Sequence, residues 1–107
     1  MAERVRYHSR LYLSEGITEK KLDKIKKKLE KKPLFSGAFL IAVSANPSDQ
    51  LEIFDARQLV QSYYEKNPPY VVGITESRGE AIALIEQIVQ ECLRERGDCA
   101  LKEYLLC

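Results

Sequence analysis

The chain has 107 residues, of which 45% are hydrophobic and 31% charged, with a formal net charge of +1. That length holds one domain with a modest core, residues 1–107, and the composition excludes a disordered chain. No apolar run approaches the roughly 20 residues that cross a bilayer, and the opening MAERVRYHSR lacks an apolar signal segment, so a cytoplasmic protein with no membrane partner is expected.

Residues 5–13 alternate. Val5, Tyr7, Leu11 and Leu13 fall on one side, and Arg4, Arg6, His8, Arg10 and Tyr12 on the other. A period of two predicts a strand whose first set meets the core and whose second set lines an open sheet face. Ser14-Glu15-Gly16 ends it.

Residues 18–32 read as a helix. Thr18 suits the N-cap, Leu22, Ile25 and Leu29 form a narrow apolar stripe, and Pro33 closes the segment. Eight of its residues between 20 and 32 are lysine, and residues 1–32 carry a local charge of +6 while the remainder is acidic. Lys20, Lys24, Lys27, Lys28 and Lys31 lie away from the stripe, which makes them candidate contacts for an anionic partner or simply a solvated face.

Residues 38–43, AFLIAV, are nearly all apolar and predict a central strand buried on both faces. Asn46-Pro47-Ser48-Asp49 is a turn, and residues 51–54 return as the second arm of a hairpin. Asp55 then caps a short helix, with Gln58 as its capping-box partner, whose apolar side is Leu59, Val60, Tyr63 and Tyr64. Pro68-Pro69 stops it. Residues 70–74, YVVGI, predict another central strand. Ser77 and Glu80 form a capping box that opens the longest helix, with Ala81, Ile82, Ile85, Ile88, Val89, Cys92 and Leu93 on its apolar side and Gly97 at its end. Residues 99–106 fit an edge strand or a short helix equally.

The order β-α-β-β-α-β-α matches a ferredoxin-like βαββαβ core with an extra C-terminal helix. The expected fold is therefore an α+β two-layer sandwich, with the helices on one sheet face and an additional edge strand open at the C-terminus.

No catalytic, metal or cofactor residue is singled out. His8 is the one histidine and sits among arginines, so a surface position is expected. Asp49, Glu52 and Asp55 form no calcium loop. Cys92, Cys99 and Cys107 have spacings that fit neither a zinc site nor a disulfide framework. The strand–helix turn from Thr75 to Gly79 offers N–H donors to an anion, but Glu76 and Glu80 oppose it. The basic positions Arg4, Arg6, Arg10 and Tyr12, with the lysines above, are the candidate RNA contacts. The third strand, LEIF, lacks the aromatic signature of an RNA-recognition motif, and the two basic groups are expected on opposite sides of the molecule. Tyr63, Tyr64 and Tyr70 bracket the proline pair and are the candidate interface or ligand pocket.

The stretch LEIFDARQLVQSYYEKNPPYVVGITESRGEAIALIEQIV, within residues 51–93, resembles small bacterial proteins of no assigned function. The shared features are a short strand, a tyrosine-bearing helix, a VVGI strand and a long amphipathic helix. The resemblance implies no activity and transfers no functional residue. The leading expectation is a non-enzymatic cytoplasmic interaction or accessory domain that self-associates through a sheet edge or the tyrosine surface. RNA binding by the basic N-terminal third is the first alternative. A small ligand site or small enzyme at the tyrosines is the second.

Overall fold

The computed structural model describes residues 5–106. Its centre is a four-stranded mixed sheet built from β1 (Arg6–Leu13), β2 (Phe39–Val43), β3 (Leu51–Asp55) and β4 (Tyr70–Thr75). The strand order is β1-β4-β2-β3. β1 runs parallel to β4, whereas β2 is antiparallel to both β4 and β3. The apolar runs AFLIAV and YVVGI thus occupy the two central positions, as their lack of polar alternation requires.

The ferredoxin-like order is not what the sheet shows. β4 separates β1 from β2, and the ladder polarities make β1 and β2 antiparallel, so the segment linking them is not a split parallel crossover. The edge strands are β1 and β3. Local hydrophobic periodicity specifies a strand but not the edge on which it docks, which is why the same element order admitted two sheets.

The two-layer expectation is also corrected, because both sheet faces are covered. On one face, α1 (Glu19–Lys31) contributes Ile25 and Leu29 to a core with Leu40, Ala42, Phe54, Val71 and Ile74. On the other, α3 (Arg78–Arg96) and α4 (Leu101–Leu106) contribute Ala81, Leu84, Ile88, Cys92, Leu101 and Leu105 to a core with Ile41 and Val72. Successive residues of β2, Leu40 and Ile41, feed opposite cores, as alternate side chains of a strand must. The sheet is therefore the middle of three layers.

The helices start and stop for local reasons. Thr18 Oγ1 accepts from Lys21 N at 3.2 Å, and Lys28 and Lys31 sit at the negative end of the α1 dipole. Ser77 Oγ accepts from Glu80 N at 3.2 Å, while the Glu80 carboxylate reaches back to Glu76 N at 3.1 Å, one residue before the usual capping-box donor. Gly97 ends α3 with φ 80°, a left-handed conformation that glycine adopts without a Cβ penalty. The buried side of α3 is Ala81, Leu84, Ile88 and Cys92. Ile82 and Leu93, expected inside, are exposed, and Leu84 takes their place in the core.

Two segments differ in form from the sequence reading. Asp55 caps a 3-10 turn, Ala56–Val60, and its carboxylate binds Arg57 rather than Gln58, accepting from Arg57 N at 3.0 Å and from the guanidinium at 2.8 Å. The helix proper, α2, is only Ser62–Lys66. Residues 101–106 are helical, not an edge strand. Gln50 clamps the start of α4, accepting from Leu101 N at 2.5 Å and donating to Cys99 O at 2.8 Å.

Candidate functional site

The residues of β1 are divided by a bulge. Tyr7 pairs with Val71 and Tyr12 with Gly73, so five steps on β1 span two on β4. Inside the bulge His8 turns toward α4. Its Nδ1 accepts from Arg10 N at 3.0 Å, which leaves Nε2 to carry the proton and donate to Leu105 O at 2.9 Å. His8 is only 8% exposed. The expected surface histidine is thus a buried joint between β1 and α4, because the sheet face it lines is covered and not open.

Tyr12, on the same side, donates to Glu91 Oε1 of α3 at 2.6 Å, and Tyr104 of α4 donates to the same oxygen at 2.5 Å. Arg10 lies beside Tyr104 and Glu91. The hydroxyls of Tyr104 and then Tyr12 hold the Glu91 carboxyl below its ordinary range. The tyrosines move the opposite way. Burial, then the Glu91 hydrogen bond, pushes Tyr12 up, and the Glu91 hydrogen bond, then burial, pushes Tyr104 up. Nothing in the sequence pointed to this cluster, since Tyr12 and Glu91 lie 79 positions apart. A depression of about 890 Å³ runs beside it along α3, lined by Tyr12, Ile85, Val89, Gln90, Glu91 and Arg94.

The predicted tyrosines come together. Tyr63, Tyr64 and Tyr70 all line one groove of about 600 Å³ at the end of the sheet, with Pro68 and Pro69 between them. Tyr64 stacks on Phe54 at 5.2 Å between ring centroids and meets Tyr63 edge-on at 5.1 Å. Tyr63 is 53% exposed. Arg6, expected among the nucleic-acid contacts, instead enters this groove. Its guanidinium lies 5.6 Å from the Tyr70 ring centroid and donates to Pro68 O at 3.4 Å. Glu52 and Lys66 complete the charged rim. Burial and then Asp49 raise the Glu52 carboxyl, and burial followed by Glu52 and Tyr63 raises the Tyr64 hydroxyl.

The basic candidates do not share one footprint. Arg4 lies outside the described residues. Arg6 belongs to the tyrosine groove, and Arg10 and Tyr12 belong to the Glu91 cluster. Lys20, Lys24, Lys27, Lys28 and Lys31 are exposed on α1, on the opposite sheet face from Arg10 and Tyr12. Among the described residues no Arg–aromatic sheet platform of the RNA-binding kind is formed, because α3 and α4 lie over that face.

The strand–helix turn after β4 is filled by the protein's own groups. Glu80 occupies Glu76 N, Ser77 occupies Glu80 N, and Glu76 pairs with Lys21 at 2.8 Å. Cys92 is buried and donates to Asp98 O at 3.2 Å, burial pushing its thiol up, while Cys99 is exposed. Cys107 lies outside the described residues. Among the described residues no group of three or more His, Cys, Asp or Glu is arranged to hold a metal ion, and no helix is long and apolar enough to cross a membrane.

No known protein family, curated protein or solved structure matches the chain.

Proposed function

We propose that this chain is a non-enzymatic interaction domain that meets a protein partner, a second copy of itself included, through the tyrosine groove. One observation carries the reading. Tyr63 and Tyr64, from α2, and Tyr70, from β4, converge with Arg6 of β1 and two prolines on one concave surface. Tyrosine and arginine are among the side chains enriched at binding hot spots, since each combines a large apolar contact with a directional polar group.

The chain's one histidine is engaged elsewhere. Both ring nitrogens of His8 are bound to backbone, and Glu91 is held by two hydroxyls. A general base needs a free lone pair within reach of a substrate, and the His8 ring offers none in this arrangement.

Size-exclusion chromatography with light scattering tests the self-association. The expected result is a mass that rises with concentration in the wild type and stays monomeric in Tyr63→Asp. A wild-type monomer at every concentration overturns that part of the reading. The groove's volume also falls in the roughly 300–1,000 Å³ range of small-ligand sites, which favours a second reading as a ligand pocket. Screening small molecules against the Tyr63, Tyr64 and Tyr70 ring resonances separates the two. A saturable shift of all three rings in the monomer supports a ligand site.

A further inference from the structure

α1 separates its charges by side. At about 100° per residue, Lys20, Lys24, Lys27, Lys28 and Lys31 fall within about 100° of arc, opposite Leu22, Ile25 and Leu29. Glu19, Asp23 and Glu30 gather on one flank of the same helix. That flank faces β1, since Lys26 beside it reaches over the Tyr7 ring at 4.8 Å. Within the described residues none of the five lysines enters an ion pair; the pairing lysine of α1 is Lys21, with Glu76.

The helix runs directly into Lys32 and the 3-10 turn Pro33–Phe35. There Phe35 is 70% exposed and Leu34 53% exposed, and the turn packs against Ala56–Val60, whose Val60 is also exposed. A lysine stripe thus ends in a small apolar knob.

We infer that this face docks on an anionic lipid surface. Clustered lysines gather at acidic headgroups, and exposed phenylalanine and leucine side chains beside them enter the headgroup–acyl boundary. The apolar stripe of α1 is committed to the core, so the helix itself does not insert; the lysines supply attraction and Leu34 and Phe35 the anchor. This is contact with a surface, and it is compatible with the lack of any spanning segment on which the expectation of no membrane partner rested. Two other occupants fit less well. A nucleic-acid backbone would use the lysines but not Leu34 and Phe35. A second copy seated on the same patch would bring Lys28, Lys31 and Lys32 of both chains together.

Co-sedimentation with vesicles of phosphatidylcholine, alone or mixed with phosphatidylglycerol, tests the inference at low and high salt. Binding is expected only to the mixed vesicles and is weakened by salt. Each of Lys24→Ala, Lys28→Ala and Lys31→Ala is expected to weaken it about fivefold. Phe35→Ser, with Leu34→Ser as a second variant, is expected to weaken it by about tenfold or more. All these side chains are exposed, and circular dichroism confirms that each variant is folded. No binding to the mixed vesicles at low salt overturns the proposal. Wild-type binding by both Phe35→Ser and Leu34→Ser, together with displacement of the protein from vesicles by duplex DNA, also overturns it, and assigns the stripe to polyanions in general.

Discussion

At the residue scale, one carboxylate organises the contact between β1, α3 and α4. Glu91 takes hydroxyl hydrogens from Tyr12 and Tyr104 on a single oxygen. Its folded pKa lies below the ordinary 4.5, so its contribution to stability is present above that value and is lost as pH falls through the folded pKa. The two tyrosines are raised above the ordinary 10.0, so their contribution is present below about pH 10 and is lost as pH rises further. Replacing Glu91 by Gln keeps the hydrogen-bond acceptor but removes the charge. The variant is expected to lose stability at neutral pH and to show weaker acid and alkaline limbs in urea unfolding measured between about pH 3 and pH 11. Identical pH profiles for the two proteins would contradict this. The alternation along residues 5–13 did assign His8 and Tyr12 to the same side of the strand. It could not say that the side was roofed, because a period of two reports direction and not coverage.

At the scale of elements, the start of α1 and both ends of α3 were legible because they rest on contacts a few residues apart. Thr18, Ser77 and Gly97 act where their positions relative to the apolar stripes placed them. Ser77→Ala is expected to cost about 1 kcal/mol, and Gly97→Ala about 1–2 kcal/mol for a Cβ in the left-handed region. Thermal unfolding reads each as a drop of several degrees, while Gln61→Ala, at a helix start with no side-chain cap bond, leaves the midpoint nearly unchanged. An unshifted midpoint for Ser77→Ala would remove the capping argument. The C-terminal segment was open between helix and strand because its six helical residues are too few for propensity to decide. Its clamp is Gln50, 51 positions away from Leu101.

At the scale of the molecule, the apolar run of β2 already required cover on both faces, and a two-layer sandwich cannot supply it. The run was legible; the partner on the second face was not. α3 and α4 provide that cover, with Leu101 and Leu105 in the second core and Leu105 O bonded to His8. Leu101→Ala is expected to cost about 2–5 kcal/mol in urea unfolding and to shift the His8 ring resonances as α4 loosens. A loss under about 1 kcal/mol with an unchanged ring signal would show that α4 is dispensable to the core.

The amino-acid sequence by itself determined the four strands and the helices α1 and α3, where those two helices begin and where α3 ends, which strands are central, and that the lysines of α1 point away from its apolar stripe. These follow from periodicity and capping, whose range is about four residues. The tertiary structure alone decided the strand order, the second core, the roof over His8 and Tyr12, and the transfer of Arg6 from a basic ladder to the tyrosine groove. Each depends on residues tens of positions apart meeting across the sheet, and no local pattern records which edge or face a segment will find.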